Sequence, residues 1–257
     1  MSKKENVKEN VKKSVSVFLQ AKGGVGKSFL GYFKMLGSDP QKVAVVLLDS
    51  SQKANQNMTR HAKVLGEQNV KVADIYNAAS EYKKSHFFQV FEDIAALTSE
   101  VVILDVGAPE SNVLREALQH DEEVTGENLY YITEELGMDV IFNVVVSGAD
   151  DNVNENIDYF AAVNDHLKAF FPVNMLINDV TFKADGESER MRKELVEDGL
   201  VTEDQVRVVG KSGSRNNDNA YLEVMAVANG DKSLDDAKKN MSARIRLRNI
   251  LEPLASV

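Results

Sequence analysis

Residues 21–28, Ala21-Lys22-Gly23-Gly24-Val25-Gly26-Lys27-Ser28, gather three glycines, two ammonium groups and a hydroxyl into one short run. That is chemistry for an anion. Gly23, Gly24 and Gly26 let the backbone curl with its N–H groups converging and no Cβ in the way. A helix starting directly afterwards adds its first free N–H groups and the positive end of its dipole. Lys27 is then placed to reach the β and γ phosphates of a nucleoside triphosphate. Ser28 can offer its hydroxyl to Mg²⁺, a hard cation that prefers oxygen and shares itself with phosphates. The expectation is a site for ATP with Mg²⁺, running from Lys22 to Phe29. A plain glycine-rich turn ending in a basic residue is the competing reading.

A second run, 101–109, carries an apolar segment to Asp105 and then Gly107. An Asp at a strand tip is placed to hold a cation through water, and the glycine behind it can flex to sense a terminal phosphate. An ordinary strand end with an Asp turn would look the same.

These groups need a framework that brings strand tips together. The stretch 15–21 reads as a buried strand running into the glycine turn, and 28–36 carries helical spacing in Leu30, Phe33 and Met35 or Leu36. Apolar, β-branched runs follow at 42–48, 70–73, 101–104, 140–146, 173–177 and 206–209. Between them lie candidate helices at 52–65, 80–97, 110–120, 154–170, 188–197 and 219–227. Such alternation predicts an α/β fold with a mostly parallel central sheet flanked by helices on both faces. Residues 1–13, dense in Lys and Glu, read as a mobile charged tail, and 14–257 as one domain. The segment 235–254 reads as a closing helix with Leu247, Ile250, Leu251 and Leu254 on one face, packed on the domain.

Composition removes whole classes of function. The chain of 257 residues has no cysteine, so disulfides, thiolate-held zinc, iron–sulfur clusters and thiol nucleophiles are excluded. No apolar stretch approaches the roughly 20 residues of a membrane-spanning helix, and no secretory leader is visible, so the reading is cytoplasmic with no membrane partner. A net charge of −10 argues against a chain coated in nucleic acid and leaves room only for a local basic face.

The run from Lys22 to Ser28 resembles the deviant Walker A loop of the ParA/MinD family of ATPases, which has an extra lysine before the glycine pair, here Lys22. The resemblance covers most of 15–209 in element order. It implies that Lys22 crosses a face-to-face homodimer to the nucleotide of the other subunit, and that Lys22 and Lys27 support catalysis. The run 101–109 looks like the family's Walker B strand and the switch after it. Asn178, ending the segment 173–177, stands where relatives hydrogen-bond adenine; a turn asparagine is the other reading. Relatives follow the second strand with Asp-x-Asp-Pro-Gln, and here Asp49-Ser50-Ser51-Gln52 stands there. Asp49 matches the first acid and joins Ser28 and Asp105 as an oxygen for the cation. Ser51 stands at the second, water-orienting acid and carries no charge, so the resemblance implies ATP binding and weak turnover.

The resemblance further implies action in plasmid partition, positioning or conjugative transfer through a protein partner. Two other readings remain: an ATP-bound scaffold with little hydrolysis, and a metabolic ligase or kinase of the same fold. Arg244, Arg246 and Arg248 make the last helix locally basic and offer non-specific DNA a phosphate-binding face; a solvated face is the alternative. His61, His86, His120 and His166 lack ligand spacing and read as surface or partly buried. The pair Asp150-Asp151 follows a strand end, near enough to a nucleotide pocket to be noted.

Overall fold

Runs of β-branched and apolar residues become strands because a sheet covered on both faces rewards apolar side chains at every position. The computed structural model describes residues 12–50, 53–77, 81–148, 153–210 and 219–257. Its strands are β1 (Lys13–Leu19), β2 (Val43–Leu48), β3 (Val70–Ala73), β4 (Val101–Val106), β5 (Met138–Ser147), β6 (Val173–Asn178) and β7 (Val206–Val209). They form one sheet in the order β3-β2-β4-β1-β5-β6-β7 with every neighbouring pair parallel. A separate antiparallel bridge joins Tyr76 and Tyr82.

The helices are α1 (Lys27–Leu36), α2 (Lys53–Leu65), α3 (Lys84–Ala95), α4 (Ala108–His120), α5 (Gly126–Glu135), α6 (Val153–Leu167), α7 (Glu187–Glu197), α8 (Asn219–Ala228), α9 (Leu234–Ala237) and α10 (Met241–Leu254). They cover the sheet in two layers, each with its own core. Val15, Val17 and Leu19 of β1 face the side where α3, α4, α5, α6 and α7 bury Phe91, Leu114, Leu129, Phe160 and Leu195. Phe18 points the other way, into the core of Leu30 and Phe33 from α1, Leu65 from α2, Val224 from α8 and Leu247 and Ile250 from α10. The strand period of two thus divides one run of residues between two cores.

Position in the sheet matters more than strand identity. β4 lies between β1 and β2, and its register sets Asp105 beside Phe18 on one side and Leu47 on the other. The tips of β1, β2 and β4 therefore end side by side at the carboxyl edge, where the order of connections reverses and open α/β sheets bind ligands.

Three boundaries differ from the sequence reading. Lys13 opens β1 instead of closing a tail, and Lys12 pairs with Glu134 at 2.5 Å and Asp139 at 3.4 Å; residues 1–11 lie outside the described part. Helix α5, for which the sequence reading offered no candidate helix, is capped by Thr125, whose side chain accepts from the Asn128 amide. It buries only Gly126, Leu129 and Thr133, too thin a stripe to show as helical period. The closing segment is two helices, because Asn240 accepts from the Ser242 and Ala243 amides and starts α10 afresh. Leu247, Ile250 and Leu254 are buried as expected, while Leu251 is half-buried.

Candidate functional site

After β1 the chain turns through residues 20–26 and enters α1 at Lys27. Gly26 is the N-cap, at φ +102°, and makes no side-chain cap. The first-turn amides of α1 are therefore left for a ligand, and no acid stands among them. Only glycine fits at 26 for a second reason: a Cβ there would lie 2.2 Å from Asn178 Nδ2. That amide donates to the Val25 carbonyl at 2.9 Å, so Asn178, 2% exposed at the end of β6, locks the loop from behind. A Cβ on Gly23 or Gly24 would meet nothing within 4 Å among the described residues.

Lys27 is only 7% exposed. Its ammonium donates to the carbonyls of Gln20 at 2.8 Å and Lys22 at 3.2 Å, which holds the loop curled around it. Burial pushes its pKa down to about 8, against the opposing pull of the Asp105, Asp49 and Glu110 carboxylates. Asp105, 5% exposed, is pushed the opposite way, above the usual carboxylate range, also by burial. A hydrogen bond from Ser28 and the charges of Lys27 and Arg60 pull it back down, while Asp49 adds to the rise. Ser28 Oγ also accepts from Asn57 Nδ2 of α2 at 3.3 Å. The structure thus brings Lys27, Ser28, Asp49 and Asp105 to one place. Lys22 and Val25 belong to the same loop, Lys22 half-buried and Val25 buried.

Other expected residues sit differently. The ring of Phe29 packs on Phe33 at 4.8 Å, on the core side, so only its backbone faces the loop. The Gly107 amide is engaged, donating to Leu48 O at 2.7 Å. His61 is a correction: it is 1% exposed, not at the surface, with Nδ1 2.7 Å from Asn57 O and its ring edge-on to Tyr32. His120 and His166 are exposed and His86 is half-buried. Ser51, Asp150 and Asp151 lie outside the described residues. On α10, Arg244 and Arg248 are exposed and Arg246 is half-buried, and Arg248 lies 3.7 Å from Glu252.

Sequence reasoning missed three residues that tie the strand tips together. Arg60 of α2 donates to the backbone carbonyls of Ser28 at 3.0 Å and Ala228 at 2.9 Å, with its guanidinium carbon 4.4 Å over the Tyr32 ring. Ser111 of α4 accepts from the Gln20 amide at 3.2 Å. Glu110, beside it, accepts from both the amide (3.0 Å) and the hydroxyl (2.5 Å) of Ser50. Nothing in the sequence marked them, since an acid in a first helical turn and an arginine within a helix are ordinary.

A triphosphate with its divalent cation fits these residues: uncapped amides, an open loop face, and one buried ammonium set among three carboxylates. Among the described residues no group of three or more His, Cys, Asp or Glu side chains is arranged to hold a metal alone. A cation here would share Ser28, Asp49 and Asp105 with phosphate oxygens.

No protein family and no curated protein matches the chain by sequence. Solved structures do match. A plasmid partition protein from Borrelia burgdorferi B31, bound to AMPPNP, aligns over 95% of this chain and 99% of its own, at 16% identity and a TM-score of 0.53. The chain shares the fold of that protein, with its seven strands in one parallel sheet. The Aquifex aeolicus MinD cell division protein and the MinC:MinD complex also align over 95% of this chain, and over 98% and 96% of theirs. At 11% and 10% identity and TM-scores of 0.45 and 0.47, they are too distant to argue from.

Proposed function

We propose that this chain is a nucleotide-dependent switch that binds ATP with Mg²⁺ at residues 22–29, pairs with a second copy in the ATP state and hydrolyses ATP slowly. The observation that carries this reading is Lys27, a buried ammonium held by loop carbonyls and facing Asp49 and Asp105 beneath an uncapped helix start. A lysine costs stability when buried this way, and an anion arriving from the open side is the partner that repays it. The AMPPNP bound to the similarly folded partition protein supports the same choice of ligand.

In this reading the α1 amides and Lys27 hold the phosphates, Lys22 meets the phosphates across the homodimer, and Ser28, Asp49 and Asp105 hold the cation. The cation would supply charge neutralisation at the phosphates. Asn178 keeps the loop in shape and stands at the adenine side. The setting is plasmid partition, positioning or conjugative transfer with a protein partner, and non-specific DNA has Arg244, Arg246 and Arg248 as its contact face. Ser51, uncharged where an acid would orient water, favours a second reading as an ATP-bound scaffold with little turnover.

The test is phosphate release together with sedimentation in ATP, ADP and no nucleotide, with and without duplex DNA, for the native chain and Lys22→Ala. The switch requires an ATP-dependent dimer that Lys22→Ala loses. A dimer without phosphate release leaves the scaffold, and no nucleotide-dependent dimer overturns both.

A further inference from the structure

We infer that Glu110 is the carboxylate that orients the attacking water in this site, in place of an acid on the loop after β2. The inference rests on the reading above, that ATP is bound and hydrolysed here.

Residues 50–60, from Ser50 to Arg60, contain no carboxylate at all. The acids at the tips of β2 and β4 are Asp49, Asp105 and Glu110, each coupled electrostatically to Lys27. Asp49 and Asp105 stand with Ser28 for the cation in the reading above, and the Ser28 hydroxyl already donates to Asp105. Glu110 is left, and its placement differs from that of a carboxylate used only for structure. It is 1% exposed, in the first turn of α4. One oxygen, Oε1, takes both donors of Ser50. The other, Oε2, is buried and accepts no hydrogen bond from the described residues.

A buried carboxylate oxygen without a donor is destabilising, so its retention calls for a reason. Its direction supplies one. Oε2 lies 2.1 Å from the point where a Cβ on Gly107 would sit, and the Asp49 carboxyl carbon lies 3.2 Å from that same point. Glycine at 107 is thus what lets the Glu110 side chain lie back across the strand tip toward Asp49. Ser50 fixes Oε1, which leaves Oε2 a set position between the tips of β2 and β4. Ser111 ties the same turn of α4 to Gln20, at the root of the phosphate loop. One helical turn therefore holds the carboxylate in register with both the loop and the second strand, the kind of preorganisation phosphoryl transfer depends on.

The step balances simply. The water oxygen bonds to the terminal phosphorus as the bond to the bridging oxygen breaks, and that electron pair leaves with the diphosphate. One water proton passes to Glu110 Oε2 and from it to the departing phosphate, and the products are ADP and phosphate.

The experiment compares the native chain with Glu110→Gln, which keeps the size of the side chain and an oxygen for Ser50 but removes the charge. Affinities for AMPPNP and for ADP with aluminium fluoride, both with MgCl₂, are measured by calorimetry, beside phosphate release and melting temperature. A water-orienting acid is used only as the transition state forms. Glu110→Gln should therefore keep AMPPNP affinity within roughly twofold, lose at least about tenfold in affinity for ADP with aluminium fluoride, and slow phosphate release by roughly a hundredfold. Adding Ser51→Asp to Glu110→Gln should recover phosphate release at least about tenfold. Unchanged affinity for ADP with aluminium fluoride, or a parallel loss of AMPPNP binding, would make Glu110 only a brace for the loop. A native chain that binds AMPPNP but neither releases phosphate nor binds ADP with aluminium fluoride overturns Glu110 while leaving the scaffold. A native chain that ignores AMPPNP removes the underlying reading itself.

Discussion

One lysine opens strand β1 and another opens the helix that follows it, and the two sit in opposite kinds of environment. Lys13, at the start of β1, donates to the carbonyls of Ile94 (2.8 Å), Ala95 (3.1 Å) and Leu97 (2.5 Å). Its three protons meet three acceptors at the end of α3, where the helix leaves carbonyls bare and its dipole is negative. Lys27, past the other end, has two carbonyls and three carboxylates around it, with open loop on the far side. Burial lowers the pKa of both. The first lysine completes a helix end, and the second is held ready for something outside the protein. A desolvated ammonium is thus informative about function through what surrounds it, since a lowered pKa is common to half-buried Lys13 and buried Lys27.

Lys27→Ala should separate the two ends most sharply. Removing the ammonium should weaken AMPPNP binding by at least about a hundredfold, or ~3 kcal/mol, by calorimetry. Stability should move by about 1 kcal/mol or less, because the burial cost roughly offsets the two hydrogen bonds. A variant that unfolds instead would place Lys27 with Lys13, as a structural group.

Beside the loop, burial also discharges His61, whose pKa falls to about 4, chiefly by loss of water. Unfolded, the ring returns to an ordinary value near 6.5, so between these values the unfolded chain binds more protons. Stability should therefore be full above pH 6.5 and fall by about 3 kcal/mol as pH drops toward 4. His61→Phe should flatten that limb in urea titrations at several pH values. An unchanged slope would assign the acid sensitivity to other groups.

The smallest effect belongs to the finished end. Lys13→Met keeps the stem and strips the donors from three carbonyls, which should cost about 1 kcal/mol in thermal unfolding and leave AMPPNP affinity as it was. Lost affinity would show that the far end of β1 also feeds the site.

Most of the framework was legible because strand and helix periods are local. β3 and β7 fall where the sequence placed them, and β2 and β6 differ by a single residue. Lys27 and Ser28 stood out because an anion loop uses contiguous residues, and Asp105 because it ends an apolar run; the structure places the three near one another. Glu110, Ser111 and Arg60 were not, since their roles arise only once β4 has slid between β1 and β2, an order that no local pattern encodes. Asn178 was picked out for adenine, and its amide is found fastened to Val25. His61 was misjudged because a histidine on a polar helix carries no sign of the Tyr32 ring that covers it.

Because β4 is paired along both edges, the location of Asp105 is a matter of counting. One residue inserted anywhere between Val101 and Asp105 would turn that carboxylate into the opposite helix layer, without touching the loop it serves. The same insertion between the exposed Glu122 and Glu123 would be absorbed at the surface. Tolerance to length change along this chain should accordingly be lowest in a strand whose letters, read alone, show little more than valine, isoleucine and leucine.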